Sequence, residues 1–200
     1  MTARPKLAPE QQMTIEEFLA FTDTRPEEER WELIEGVPVL NPSPIDYHQI
    51  VVTNIVAFLV RAKIETNAPW LPLIGTGTRV PASIHNLPQP DVMVKEHAPT
   101  GSAVSEDGLA IFEVLSKSNT RADQAWRRRI YASVQNCQHY VTVSLKTVEI
   151  VAYDRSTDWQ ARALTRLDQA LELPVLDVAI PLADIYRWTP LGGEGAPGPQ

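Results

Sequence analysis

Apolar residues recur at Ile50, Val51, Ile55, Phe58, Leu59 and Ala62. That is helical spacing, and it predicts a long core helix over about residues 47–64. A second helix is expected over about residues 122–136. Asn119 or Thr120 caps it, and Trp126, Ile130 and Val134 form its apolar stripe. Thr14 followed by Glu17 is a capping-box pattern and starts a short helix over residues 15–21. Strand-like runs at 31–34 and 37–40 flank Glu35-Gly36 and read as a β-hairpin. Pro38 puts the second of them on an edge. Further short strands are expected at 70–74, 79–81, 91–95 and 109–115, then at 139–144 and 148–153 with a turn near Lys146. Residues 159–164 and 170–173 read as further additions to the sheet, and 181–188 as a short terminal helix. Gly75-Thr76-Gly77-Thr78 reads as a turn, and residues 96–108 as a loop. The order is helix, hairpin, helix, strands, helix, strands. It predicts an α/β domain over residues 13–188, with a central mixed β-sheet flanked by helices and an N-terminal helix and β-hairpin. Residues 1–12 and 189–200 are expected to be flexible tails, the second because of its Gly and Pro content.

Composition narrows the class. Two hundred residues, 44% hydrophobic and 22% charged, fit one globular domain with its own core. The single cysteine, Cys137, excludes an internal disulfide and a cysteine-based zinc site. It fits a reducing cytoplasm, which is the expected location. No apolar run follows Arg4 and Lys6, so no signal peptide is visible. The stretch at 50–60 is too short to span a bilayer, so no membrane partner is expected. A net charge of −7 argues against a protein that coats nucleic acid nonspecifically. It leaves a nuclease open, because a bound cation supplies positive charge locally. Arg127, Arg128 and Arg129 also read as a concentrated basic patch.

Two carboxylates stand where strands are expected. Asp91 enters the run Val92-Met93-Val94, and Glu113 lies between Phe112 and Val114. A charge inside a buried strand is costly unless it is paired or binds a metal. Together they suggest an oxygen-ligand site for a hard divalent cation, with the Val114 carbonyl as a further ligand. The bland alternatives are a loop cap for Asp91 and an edge-strand glutamate facing water for Glu113. Asp123, Arg127 and Tyr131 share a helix face. That face is either a solvated salt-bridged stripe or a lid over the carboxylates, with Arg127 clamping a phosphate. Glu32 is either a third acid in the cleft or an exposed strand residue. His48 reads first as a capping or surface histidine. His85, His97 and His139 have no zinc-binding spacing.

Taken in order, several segments resemble a known family. They are Met13-Thr14-Ile15-Glu16-Glu17-Phe18-Leu19, Glu29 through Gly36, Ser43-Pro44, His48, Pro90-Asp91-Val92, Glu113-Val114-Leu115-Ser116, and Asp123 with Arg127 and Tyr131. The succession is similar to the Uma-type putative restriction endonuclease family of the PD-(D/E)xK nuclease-like superfamily, a bacterial group. The resemblance implies a restriction-endonuclease-like core, Asp91 and Glu113 as metal ligands, Mg²⁺ or Mn²⁺ as cofactor, and hydrolysis of DNA phosphodiester bonds. The superfamily's lysine, two residues after the second acid, is replaced here by Leu115. The family's lysine place, on the following helix, is held by Arg127. Arginine neutralises charge but does not readily take a proton. Lys117, four residues beyond Glu113, is the second candidate for that role.

Three functions compete. The first is a metal-dependent DNA endonuclease, for which a homodimer would bring the two sites needed to cut both strands at once. The second is a catalytically weakened relative that binds nucleic acid or a protein. The third is a structural domain in which the acids are merely paired to arginines.

Overall fold

The computed structural model describes residues 8, 11–81, 83–96, 98–116 and 119–193. Thr14 starts the first helix through both halves of a capping box. Its side chain accepts from the Glu17 N–H, and the Glu17 carboxylate accepts from the Thr14 N–H at 2.7 Å. Helix α1 (Ile15–Thr22) buries Ile15 and Phe18 in a small cluster with Leu33 and Leu87. Strands β1 (Arg30–Ile34) and β2 (Val37–Asn41) form an antiparallel ribbon. Both turn residues, Glu35 and Gly36, have positive φ, as a tight hairpin requires. Gly36 is further constrained, because an added Cβ would lie 2.4 Å from the Gln12 side chain.

The long helix α2 (Asp46–Thr66) follows, then β3 (Leu71–Ile74), β4 (Gly77–Thr78), β5 (Val92–Lys95), β6 (Val104–Ser105) and β7 (Gly108–Leu115). After them come α3 (Arg121–Ala132), β8 (His139–Ser144), β9 (Ile150–Asp154), β10 (Ala161–Leu164), β11 (Ala170–Leu173), β12 (Val178–Pro181) and α4 (Leu182–Ile185). Six strands make the central sheet in the order β10-β9-β8-β7-β5-β3. Strands β7 and β8 run parallel and are joined through α3, and their other neighbours are antiparallel. Alternate residues of β7 feed two cores. Phe112 and Val114 pack with Val51, Ile55 and Leu59 of α2, while Ile111 packs with Tyr131 and Val134 from the α3 side. The sheet is therefore mixed and helix-covered, as the element order predicts.

Several details differ from the sequence reading. The segment 79–81 is not a strand. Pairing falls instead on Gly77–Thr78, read as a turn, which runs parallel to β6 inside the expected 96–108 loop. Helix α3 stops at Ala132, not 136. The Arg155 side chain takes the carbonyls of Ala132, Val134 and Cys137, so the acceptors of a helix end find partners without a further turn. Strand β12, which pairs with β11, has no counterpart in that reading. Thr189 and Leu191, assigned to the C-terminal tail, belong to the packed part of the chain. Thr189 is buried with its hydroxyl donating to the Tyr186 carbonyl at 2.7 Å, and Leu191 packs on the main core.

Asn54 of α2 fastens this C-terminal segment. Its amide donates to the carbonyls of Ile185 and Arg187 at 3.1 and 2.8 Å. Asn54→Leu leaves both acceptors without that donor, and a loss of about 1–3 kcal/mol is expected in urea unfolding. A loss of only a few tenths would show that water replaces the amide there. Among the described residues, no helix is long and apolar enough to cross a membrane.

Candidate active site

Glu113 stands on the α3 side of β7, in a strand whose residues are almost all buried. A carboxylate there needs partners, and α3 supplies two, one turn apart. Arg127 Nη1 donates to Glu113 Oε1 at 2.8 Å, and the Tyr131 hydroxyl donates to the same oxygen at 2.7 Å. The ribbon supplies a second acid. Glu32 of β1 takes Arg127 Nη1 at 3.0 Å and Nη2 at 2.7 Å, a two-pronged ion pair. Glu32 is 1% exposed. It also accepts from the Gln89 N–H at 2.7 Å and from the Asn41 amide at 3.1 Å.

Asp91 immediately precedes β5. Val92 pairs with Phe112, so the next step of the register sets Asp91 across from Glu113. Its Oδ2 accepts from the Val114 N–H at 2.8 Å. His48 Nε2, from the first turn of α2, lies 3.2 Å from that oxygen.

These acids differ in how they hold their protons. Burial alone would raise the Glu32 carboxyl, but the Arg127 guanidinium and the N–H donors around it hold it below the usual range. Glu113 goes the other way. Burial, joined by the like charges of Asp91 and Glu32, outweighs Arg127 and pushes it up to about 8. Burial, helped by the neighbouring Glu113, raises the Tyr131 hydroxyl well above its ordinary value, so it remains a donor.

The cleft around these groups encloses about 440 Å³. Glu32, His48, Asp91, Glu113, Val114 and Arg127 all line it. Glu32 is thus a cleft acid and not an exposed strand residue, and His48 is a buried partner of Asp91 and not a surface cap. Asp123 serves the start of α3, accepting from the Thr120 N–H at 3.1 Å and from its hydroxyl at 2.6 Å. Lys117 lies outside the described residues. The three successive arginines do not form a patch, because neighbours on a helix point about 100° apart. Arg127 enters the acid cluster, Arg128 lies over the Tyr153 ring at 5.2 Å, and Arg129 is exposed. Both terminal nitrogens of Arg127 are engaged by carboxylates, which replaces the expected phosphate clamp with a strut between Glu32 and Glu113. Gln89 and Asn41 were not foreseen. Each acts through one hydrogen bond to Glu32 and leaves no periodic signal in the sequence.

Among the described residues, no group of three or more His, Cys, Asp or Glu side chains could hold a metal ion. What the site offers is two acids facing each other. That donor set suits Mg²⁺, which is commonly held by one or two carboxylates, with waters and substrate phosphates completing its shell.

A family model described as Uma2, putative restriction endonuclease, matches residues 15–183. The chain belongs to this family. Among solved structures, the Uma2 chain is similar to a putative nuclease belonging to DUF820 from Anabaena variabilis. The two are 13% identical and superpose with a TM-score of 0.71, over 88% of this chain and 98% of the other. At that identity the likeness is one of fold. No curated protein matches the sequence. Family and fold together place this Uma2 chain among nuclease-like proteins.

Proposed function

We propose that this Uma2 protein is a Mg²⁺- or Mn²⁺-dependent endonuclease that hydrolyses DNA phosphodiester bonds, with Asp91, Glu113 and the Val114 carbonyl as the cation's protein ligands. The observation that carries the reading is the pairing of Asp91 with the β7 segment that bears Glu113, fixed by the Val114 N–H at 2.8 Å. Charge supports it. Glu32, Asp91 and Glu113 surround the one guanidinium of Arg127, so the acid cluster would be net negative once a cation drew the proton from Glu113. The hydrogen bonds support it as well. Arg127 and Tyr131 both hold Oε1 of Glu113, which leaves Oε2 for a cation. Val114 and His48 both address Oδ2 of Asp91, which leaves Oδ1. A residue's N–H and C=O share one edge of a strand, so the Val114 carbonyl opens on the same side as Asp91.

A cation bound there lowers the pKa of its water and offsets charge on the phosphoryl oxygen. Arg127 does not take the water's proton, since its guanidinium stays protonated. It holds Glu113 in place against Glu32 and reduces the repulsion between them.

The test is conversion of supercoiled plasmid to open circle. Wild-type protein is expected to nick with Mg²⁺ or Mn²⁺ and to stop with EDTA. Asp91→Asn is expected to lose about 10²-fold or more. Nicking that survives Asp91→Asn would place the chemistry elsewhere. A single copy carries one such site, so double-strand cutting is expected to rise with dimer concentration. One observation favours a binding module with weakened catalysis: Arg127 is already saturated by two acids. Stabilisation by the metal without any turnover would decide for that second reading.

A further inference from the structure

The floor of the cleft is acidic, but much of its wall is apolar. Pro42, Pro44, Ile45, Leu115 and Leu145 all line it. Ile45 is 61% exposed, and Leu40, on the strand leading into the same loop, is 47% exposed. Such side chains at the mouth of a charged site are costly in water unless a ligand covers them. Pro42 and Pro44 each fix φ, so the loop at 42–45 is stiff before any ligand arrives. Stiff apolar residues of this kind are what proteins push between bases to unstack them.

The cations give the second half of the argument. A protein that grips a duplex through its backbone makes about six to ten phosphate contacts. Among the described residues, Arg30, Arg127 and Lys146 are the Lys and Arg side chains that line the cleft. Arg127 is held by Glu32 and Glu113, which leaves Arg30 and Lys146. Elsewhere Arg79, Lys95, Arg162, Arg166 and Arg187 are paired with carboxylates. Among its described residues, the cleft itself therefore does not offer phosphate contacts of duplex length. Two rim cations, an acidic floor for a cation, and apolar walls suit one or two nucleotides whose bases are free to leave the stack.

We infer that the cleft takes an unpaired DNA strand, as found at a fork or flap, with the loop at 42–45 acting as an apolar wedge against the adjoining bases. This rests on the nuclease reading above and adds the substrate class.

The experiment is fluorescence anisotropy of the full chain in Ca²⁺, which fills oxygen-ligand sites. Three labelled DNAs of one sequence serve as probes: a single strand, a splayed fork and a blunt duplex. The single strand and the fork are expected to bind about tenfold more tightly than the duplex. The slope of log K against log salt for the single strand is expected near −1.4, for about two phosphate contacts. Lys146→Ala should reduce that slope by about 0.7. Ile45→Asp changes an exposed side chain, so its thermal midpoint should stay near wild type while the preference for unpaired DNA is lost.

Equal or tighter duplex binding would overturn the inference. So would a slope of about −5 or steeper, which means a long backbone footprint. A preference that survives Ile45→Asp, or tighter binding of RNA of the same sequence, would overturn it too. The two readings fail differently. Duplex preference with continued plasmid nicking removes only the substrate class, whereas no binding and no nicking removes the nuclease reading and this inference together.

Discussion

Arg127→Met is expected to cost about 3–5 kcal/mol of stability near pH 8, lowering the thermal midpoint by on the order of 10 °C. The reason is the number of buried charges it leaves behind. Glu32 and Glu113 are 1% and 6% exposed, and Arg127 is the side chain that neutralises both. Without it, each acid is ionised in a poorly solvated place or takes up a proton on folding. The pH dependence follows from the sign. In the wild type, Glu32 is held below its ordinary range, so its contribution is present at neutral pH and lost as pH falls through the folded value. In the variant both carboxyls are raised, so stability is present at low pH and lost as pH rises. The deficit should therefore widen from pH 5 to pH 8. Arg127→Lys keeps the charge but not the two-pronged geometry, and its loss should be smaller. Thermal melts of the three proteins at two pH values in EDTA are sufficient. A deficit under about 1 kcal/mol at pH 8 would mean that the ion pairs contribute nothing net.

This network shows what a sequence exposes and what it hides. Acid residues in apolar runs are conspicuous, because burial makes them costly, and Asp91 and Glu113 stand out for that reason. Arg127 and Tyr131 are legible through helical spacing from Asp123. That periodicity could not tell a lid over the acids from a solvated stripe, and it assigned Asp123 to the face when its carboxylate caps α3. His48 and Glu32 were ambiguous because their meaning depends on long-range contacts. Glu32 meets Arg127 across 95 positions of sequence. The long helix and the main strands follow from period alone. The end of α3 does not, since it is set by Arg155, which approaches from the turn that follows β9, later in the chain. Pairing of two-residue strands such as β4 and β6 carries no pattern long enough to read.

Glu113→Gln should move stability and activity in opposite directions. The folded value of about 8 stands above the ordinary 4.5. A carboxyl raised in this way contributes stability that is present below pH 4.5 and is lost as pH rises through about 8. The shift bounds the loss at ~5 kcal/mol at alkaline pH, before the opposing contribution of Glu32. Glutamine keeps an oxygen for Arg127 and Tyr131 but cannot ionise. In EDTA, the variant should therefore lose the downward slope between pH 5 and pH 9 and melt above wild type at pH 9. In the nicking assay it should lose about 10²-fold or more, because a neutral amide is a weak ligand for a hard cation. Mg²⁺ at 100 times its dissociation constant should stabilise the wild type by about 2.7 kcal/mol and the variant by much less. If the variant instead melts lower at pH 9, the Glu113 carboxylate is well paired by Arg127 and Tyr131 in the free protein, and burial does not raise it. If it melts higher but still nicks and still responds to Mg²⁺, the strain at Glu113 exists but the cation sits on other oxygens.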